Sequence, residues 1–286
     1  MLKDSCPSDF NRLPKSFEDF SYMKGTEFRR LLLYDGVLVF RNYFDENIYK
    51  LFLLFHAGIY ILRSPVLVRN LCGYANRLLR TFIKHSAVVF GKKIVVYNVH
   101  SMAHLSKECE EHGALDTFSA YPFENKLFSI KACLQSGYKP LKQAAYRDLE
   151  KRNFDIIFED HENEVHLAQR RFIANEIIDG LQFKRIMVND TIFKCNVKDA
   201  CFKTINGEIT VLHNIVQRHG EVSFTKMENV YEYPLPSSEL GIIRVSDLSE
   251  ERRVFPLVQI IAKCWLIPDV EFFLCFPLLH TMPLLK

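Results

Sequence analysis

The chain has 286 residues, 48% of them hydrophobic and 25% charged, with only 11 Gly and 11 Pro, which excludes collagen-like, low-complexity and largely disordered classes. That length suits about two domains with a sizeable core. The formal net charge is +3, so a nucleic-acid contact has to come from a local patch rather than from the global field.

Up to about residue 152 apolar residues recur three and four apart, as on helices. The first helix is expected from about Thr26 through Phe28 and Leu31–Leu33, ending at Asp35-Gly36. A second begins at the N-cap Asp45, carries Ile48, Leu51, Phe52, Phe55 and Ile59, and ends at Ser64-Pro65. A third spans about Asn70–Phe90 and a fourth about Ile94–His112, with shorter ones over Glu124–Gln135 and Leu141–Arg152. Residues 153–175 change character, with an acidic cluster and no sustained period, and read as a linker.

After the linker the pattern is strand-like. Strands are expected at Thr191–Cys195, Ala200–Ile205 and Glu208–Leu212, the last two joined by Asn206-Gly207, a strong hairpin signal because both turn residues need positive φ. A further turn is expected at His219-Gly220, then strands at Val222–Phe224, Ile242–Val245, Val258–Ile261, Cys264–Ile267 and Glu271–Phe276. The fold class is therefore α+β: a mostly helical domain over 1–152 and a small β-rich domain over 176–286, barrel-like or a sandwich. There are 12 basic and 14 acidic residues after residue 175, against 25 and 20 before it, so phosphate contacts are expected in the helical part.

Eight cysteines (Cys6, Cys72, Cys109, Cys133, Cys195, Cys201, Cys264 and Cys275) form no Cys-x-x-Cys pair and read as reduced intracellular thiols. The N-terminus has no apolar stretch of signal-peptide length. The longest apolar run, Leu51 to Leu62, is interrupted by His56 and falls short of the roughly 18–20 residues of a membrane span. Neither secretion nor a membrane partner is expected, and the sequon at Asn189-Asp190-Thr191 reads as a turn before a strand.

Three features carry candidate chemistry. His100 and His104 stand four apart, on one face if a helix runs through them, a geometry that suits zinc and equally suits ordinary helix-face histidines. Ser101 follows the first histidine where a metalloprotease needs Glu, which rejects that class. Glu124, after Pro122, is either a carboxylate for Mg²⁺ or a charge favoured at a helix N-terminus; Asp116 reads first as a turn residue. Lys126, Lys131, Lys139, Lys142, Arg147, Lys151 and Arg152 against Asp148 and Glu150 form a basic stretch that suits a phosphate track or a solvated face. Gly-x-Ser-x-Gly, P-loop and dinucleotide-fold signatures are absent from the sequence.

Several segments together resemble the C-terminal region of transposase-domain proteins of CACTA-type (En/Spm-like) DNA transposons in animals. They are Pro7-Ser-Asp-Phe-Asn-Arg-Leu-Pro-Lys-Ser, Lys24-Gly-Thr-Glu-Phe-Arg-Arg-Leu-Leu-Leu-Tyr-Asp-Gly, Tyr97-Asn-Val-His-Ser-Met-Ala-His-Leu, Gly113-Ala-Leu-Asp-Thr-Phe-Ser-Ala-Tyr-Pro-Phe-Glu-Asn and Ser136-Gly-Tyr-Lys-Pro-Leu-Lys-Gln. The likeness continues through Tyr231-Glu-Tyr-Pro, Ser237-Ser-Glu-Leu-Gly-Ile, Val254-Phe-Pro-Leu and Pro277-Leu-Leu-His-Thr. It covers nearly the whole chain, and residues 97–125 are its specific part.

The resemblance implies a DDE-type enzyme whose RNase H-like core cuts and rejoins DNA with two Mg²⁺ ions, with a helical insertion ahead of the third acid. It makes Glu124 the candidate third acid and His100 and His104 a candidate structural-zinc pair. The first two acids would lie upstream of the Pro7 segment, so the expectation is a truncated protein, catalytically inactive alone, with one carboxylate too few for two ions. DNA binding through Lys126 to Arg152, in the nucleus, is the expected residual activity. A domesticated protein-interaction module without a nucleic-acid role, or a peptide contact along a strand edge, is the alternative. Helices cut off from a missing sheet would expose the Phe52, Phe55 and Ile59 face and favour self-association.

Overall fold

The computed structural model describes residues 2–134, 136–156, 166–173, 180–188, 191–216 and 219–282. The chain is α+β, with helices in its N-terminal part and an antiparallel nine-stranded sheet in its C-terminal part. It divides into two compact units, Met1–Leu115 with Val165–Lys286, and Asp116–Glu164. This division differs from the one expected at 152 and 175, because the first helices and the sheet share one core.

The helices of the larger unit are α1 (Leu2–Ser5), α2 (Gly25–Leu33), α3 (Gly36–Tyr43), α4 (Glu46–Arg63), α5 (Leu67–Val89), α6 (Tyr97–Ser101) and α7 (Leu105–His112). Asp45 caps α4 as its residue type requires, its carboxylate accepting from the backbone N–H groups of Asn47 and Ile48 at 3.0 and 3.1 Å. Gly36, expected to end a helix, opens α3 instead; a Cβ there would stand 2.2 Å from the Leu31 carbonyl oxygen, so only glycine allows so tight a junction. The single helix expected over Ile94–His112 is broken into α6 and α7 by a turn at Met102–His104. The Phe52, Phe55 and Ile59 face is half-buried, with Phe52 edge-on to Phe40 at 4.8 Å and Phe55 stacked on Phe82 at 4.9 Å.

The smaller unit holds α8 (Tyr121–Ala132) and α9 (Pro140–Ile156). No residue of α8 is buried.

The strands are β1 (His166–Arg171), β2 (Gln182–Val188), β3 (Thr191–Lys194), β4 (Cys201–Thr204), β5 (Ile209–Ile215), β6 (His219–Asn229), β7 (Ile243–Phe255), β8 (Ile260–Asp269) and β9 (Phe272–Pro277). β1 falls within the expected linker, of which residues 157–165, 174 and 175 lie outside the described residues, as do Asn189 and Asp190 of the sequon. His219-Gly220 is not a turn but the start of β6, paired with Ile215 and Asn214. Asn206-Gly207 does turn the chain between β4 and β5, with Gly207 at φ +85°.

Hydrogen bonding runs β5–β4–β8–β9–β7–β6, and β6 pairs back onto β5. Six strands therefore close into a small barrel, to which β2 adds at the end of β5 and carries β1 and β3. Closure leaves these strands without free edges.

Alternation along the strands sorts their side chains into two sets. Cys201, Ile209, Val245, Cys264 and Cys275 form one cluster, with Val211, Ile243 and Leu266 against it, all from barrel strands. That cluster is the barrel interior. On the other face Phe202, Leu212 and Ile215 pack with Phe183, Ile186 and Phe193 of β2 and β3, and Trp265 and Phe276 meet the N-terminal part. Phe10 lies 5.4 Å from the Trp265 ring, Tyr34 lies 6.4 Å from Phe276, and the Tyr60 hydroxyl donates to the Pro277 carbonyl.

One buried ion cluster pins the N-terminal segment to the barrel. The Lys263 ammonium, fully buried on β8, donates to Asp9, to Asp199 at 2.9 Å and to the Ile192 carbonyl at 2.7 Å. Asp199 also accepts from the Ser8 N–H and hydroxyl, both at 2.9 Å. Burial alone would raise the pKa of both aspartates, but the His280 hydrogen bond and Lys263 at Asp9, and Lys263 with Ser8 at Asp199, hold each below its ordinary value.

Candidate functional site

The residues singled out by sequence fall in both compact units. His100 lies in the last turn of α6 and His104 immediately precedes α7; both are exposed, with ring centroids 5.5 Å apart. They face each other across a turn rather than along one helix. Glu124 lies exposed in the first turn of α8, after Pro122, where a carboxylate is favoured by the helix dipole.

The basic residues of the smaller unit differ in what they touch. Lys126 pairs with Asp148 and Arg147 with Glu150 at 2.8 Å. Lys131, Lys139 and Lys142 are exposed and belong to no ion pair among the described residues. Two of them lie over rings, Lys139 Nζ 4.9 Å from the Tyr138 centroid and Lys142 Nζ 5.6 Å from that of Tyr146. Beside them α8 presents Phe123, Leu127 and Phe128, all at least 65% exposed.

Among the described residues the one group of three or more His, Cys, Asp or Glu side chains close enough to share an ion is Cys201, Cys264 and Cys275, whose sulfur atoms all lie within 4.8 Å of one another. Neither Glu124 nor the histidine pair belongs to such a group. Zinc takes four ligands in a structural site and the pair supplies two; a two-Mg²⁺ centre needs several carboxylates and Glu124 supplies one.

The cysteines converge because of register. Phe202 pairs with Lys263, which sets Cys201 opposite Cys264 across β4 and β8. Leu266 pairs with Cys275, which puts Cys275 on the same face, two positions along β8 from Cys264. Burial opposes ionisation of all three, yet Cys264 loses its proton most easily, since Cys201 and Cys275 point thiols at its sulfur and the Lys203 charge adds to them. No local motif marks this group along the chain: its members come from three strands, and spacing alone does not say which strands adjoin.

Residues 160–278 match a domain of unknown function, DUF8592. The matched span takes in all nine strands, and with them the three cysteines. No curated protein and no solved structure matches the chain. No described helix is long and apolar enough to cross a membrane.

Proposed function

We propose that this chain is a transposase-derived protein that binds nucleic acid without cutting it, through the helical unit 116–164. The observation that carries the proposal is the pairing of cation with ring, Lys139 over Tyr138 and Lys142 over Tyr146, all four exposed, with Lys131 on the preceding helix. Cations that track a phosphate backbone beside rings on which bases stack are the means by which single strands are held without sequence readout. The likeness of residues 97–125 and 136–143 to CACTA-type transposases supports the same reading, and a nuclear location goes with it.

The test is fluorescence anisotropy of a labelled single-stranded 20-mer, with salt varied. Replacing Lys131, Lys139 and Lys142 by Gln should weaken binding more than tenfold and reduce the salt slope by about 0.7 per lost contact. Tyr138→Ala and Tyr146→Ala should each cost about 1–3 kcal/mol. Equal affinity and slope in parent and triple variant would reject the proposal. A second reading, a protein-interaction module, rests on Phe123, Leu127 and Phe128; it predicts that serine at these positions abolishes a protein contact or self-association while nucleic-acid affinity stays unchanged.

A further inference from the structure

We propose that Cys201, Cys264 and Cys275 form a site for a single monovalent copper ion inside the barrel. A metal–thiolate bond of about 2.3 Å in a planar three-coordinate arrangement puts its sulfurs roughly 4.0 Å apart. The three sulfurs already lie within 4.8 Å of one another, so closing on an ion takes shifts of a few tenths of an ångström, within the reach of side-chain torsions.

The ladder presets this geometry. Each cysteine belongs to a barrel strand, on the inward face: Cys201 opens β4 and pairs with Val211, Cys264 pairs with Pro277, and Cys275 pairs with Ile243 on one side and Leu266 on the other. Packing needs only small apolar side chains here, which alanine or valine would supply; three converging sulfurs are more than that need requires.

The choice of ion follows from the donor set and its surroundings. Thiolates select soft ions, chiefly monovalent copper and zinc. Zinc completes a tetrahedron, and no histidine or carboxylate stands with the three sulfurs among the described residues. Around the sulfurs pack the apolar side chains of Ile209, Val245, Val211, Ile243 and Leu266. Three buried sulfurs among apolar side chains fit a three-coordinate copper ion. Lys203 follows Cys201 by two on β4, so it shares that face and brings a positive charge toward the negative complex.

The experiment uses the full chain carrying Cys133→Ala and Cys195→Ala, which removes its two half-buried thiols. Reduced protein is titrated anaerobically with monovalent copper against a chromophoric copper chelator, and separately with zinc. One copper per chain is expected, with ultraviolet sulfur-to-copper charge-transfer absorption and a Tm higher by about 5 °C at a hundredfold excess over Kd. Cys264→Ala and Cys201→Ala should each lower affinity at least 100-fold. Equal uptake by parent and variants, no uptake, or displacement of copper by stoichiometric zinc would overturn the proposal. X-ray absorption of the loaded parent needs no variant that might misfold: three sulfur neighbours at about 2.3 Å are expected, and any other shell overturns it.

Discussion

His56 shows what burial does to one side chain. It is fully buried on α4, where its Nδ1–H donates to the Leu32 carbonyl at 2.7 Å and its Nε2 accepts from the Tyr231 hydroxyl at 3.0 Å. Loss of solvation pushes its pKa down from 6.5 to about 4, outweighing the opposing effect of the Leu32 hydrogen bond. The folded state therefore needs the neutral ring. This contribution is fully present above the unfolded value and is lost as pH falls from 6.5 toward 4, a loss of about 3 kcal/mol. Urea unfolding between pH 7.5 and 4.5 should show it, and His56→Gln should flatten the profile. Asp9 and Asp199, whose values are lowered, act in a separate window below pH 3.8. A parent midpoint constant across pH 6.5 to 4.5 would reject this account of His56.

At the scale of elements, the α4–α5 pair turns on one glycine. A Cβ at Gly58 would meet Leu79 Cδ2 at 2.8 Å and Cγ at 2.9 Å, and Leu79 is itself fully buried. The helices approach closely because position 58 has no side chain. Gly58→Ala should destabilise by about 1–3 kcal/mol through overpacking, and Leu79→Val in the same chain should recover part of it; additive effects in a double-mutant cycle would contradict the contact. The same scale explains which elements were legible. Apolar residues at helical spacing and a capping Asp45 marked α4, while β2 escaped notice because Gln182–Val188 mixes Lys184 and Arg185 with its apolar residues. The turn read at His219-Gly220 rested on a glycine that the barrel instead holds in extended pairing with β7.

At the scale of the molecule, residues 2–10 are part of the barrel's outer wall. Ser5 accepts from the Trp265 indole at 3.3 Å, Phe10 covers the same ring, and Ser8 and Asp9 complete the buried Lys263 cluster. Deleting residues 1–10 removes Asp9 from a lysine that has no solvent, and breaking a buried pair in this way costs about 3–5 kcal/mol. The expected outcome is a Tm lower by about 10 °C or loss of soluble protein; an unchanged melting curve would show that this segment does not support the barrel.

The sequence by itself determined the α+β class, most helices, the 206–207 hairpin and the basic, aromatic character of 121–152, because each is written in residues near one another along the chain. Tertiary structure alone decided that the first helices and the sheet form one unit and that β6 returns to β5. It also brought together Lys263 with Asp9, 254 positions apart, and Cys201 with Cys264 and Cys275. Such contacts depend on strand order and register, which follow from how apolar faces are buried across the whole chain rather than from any local spacing.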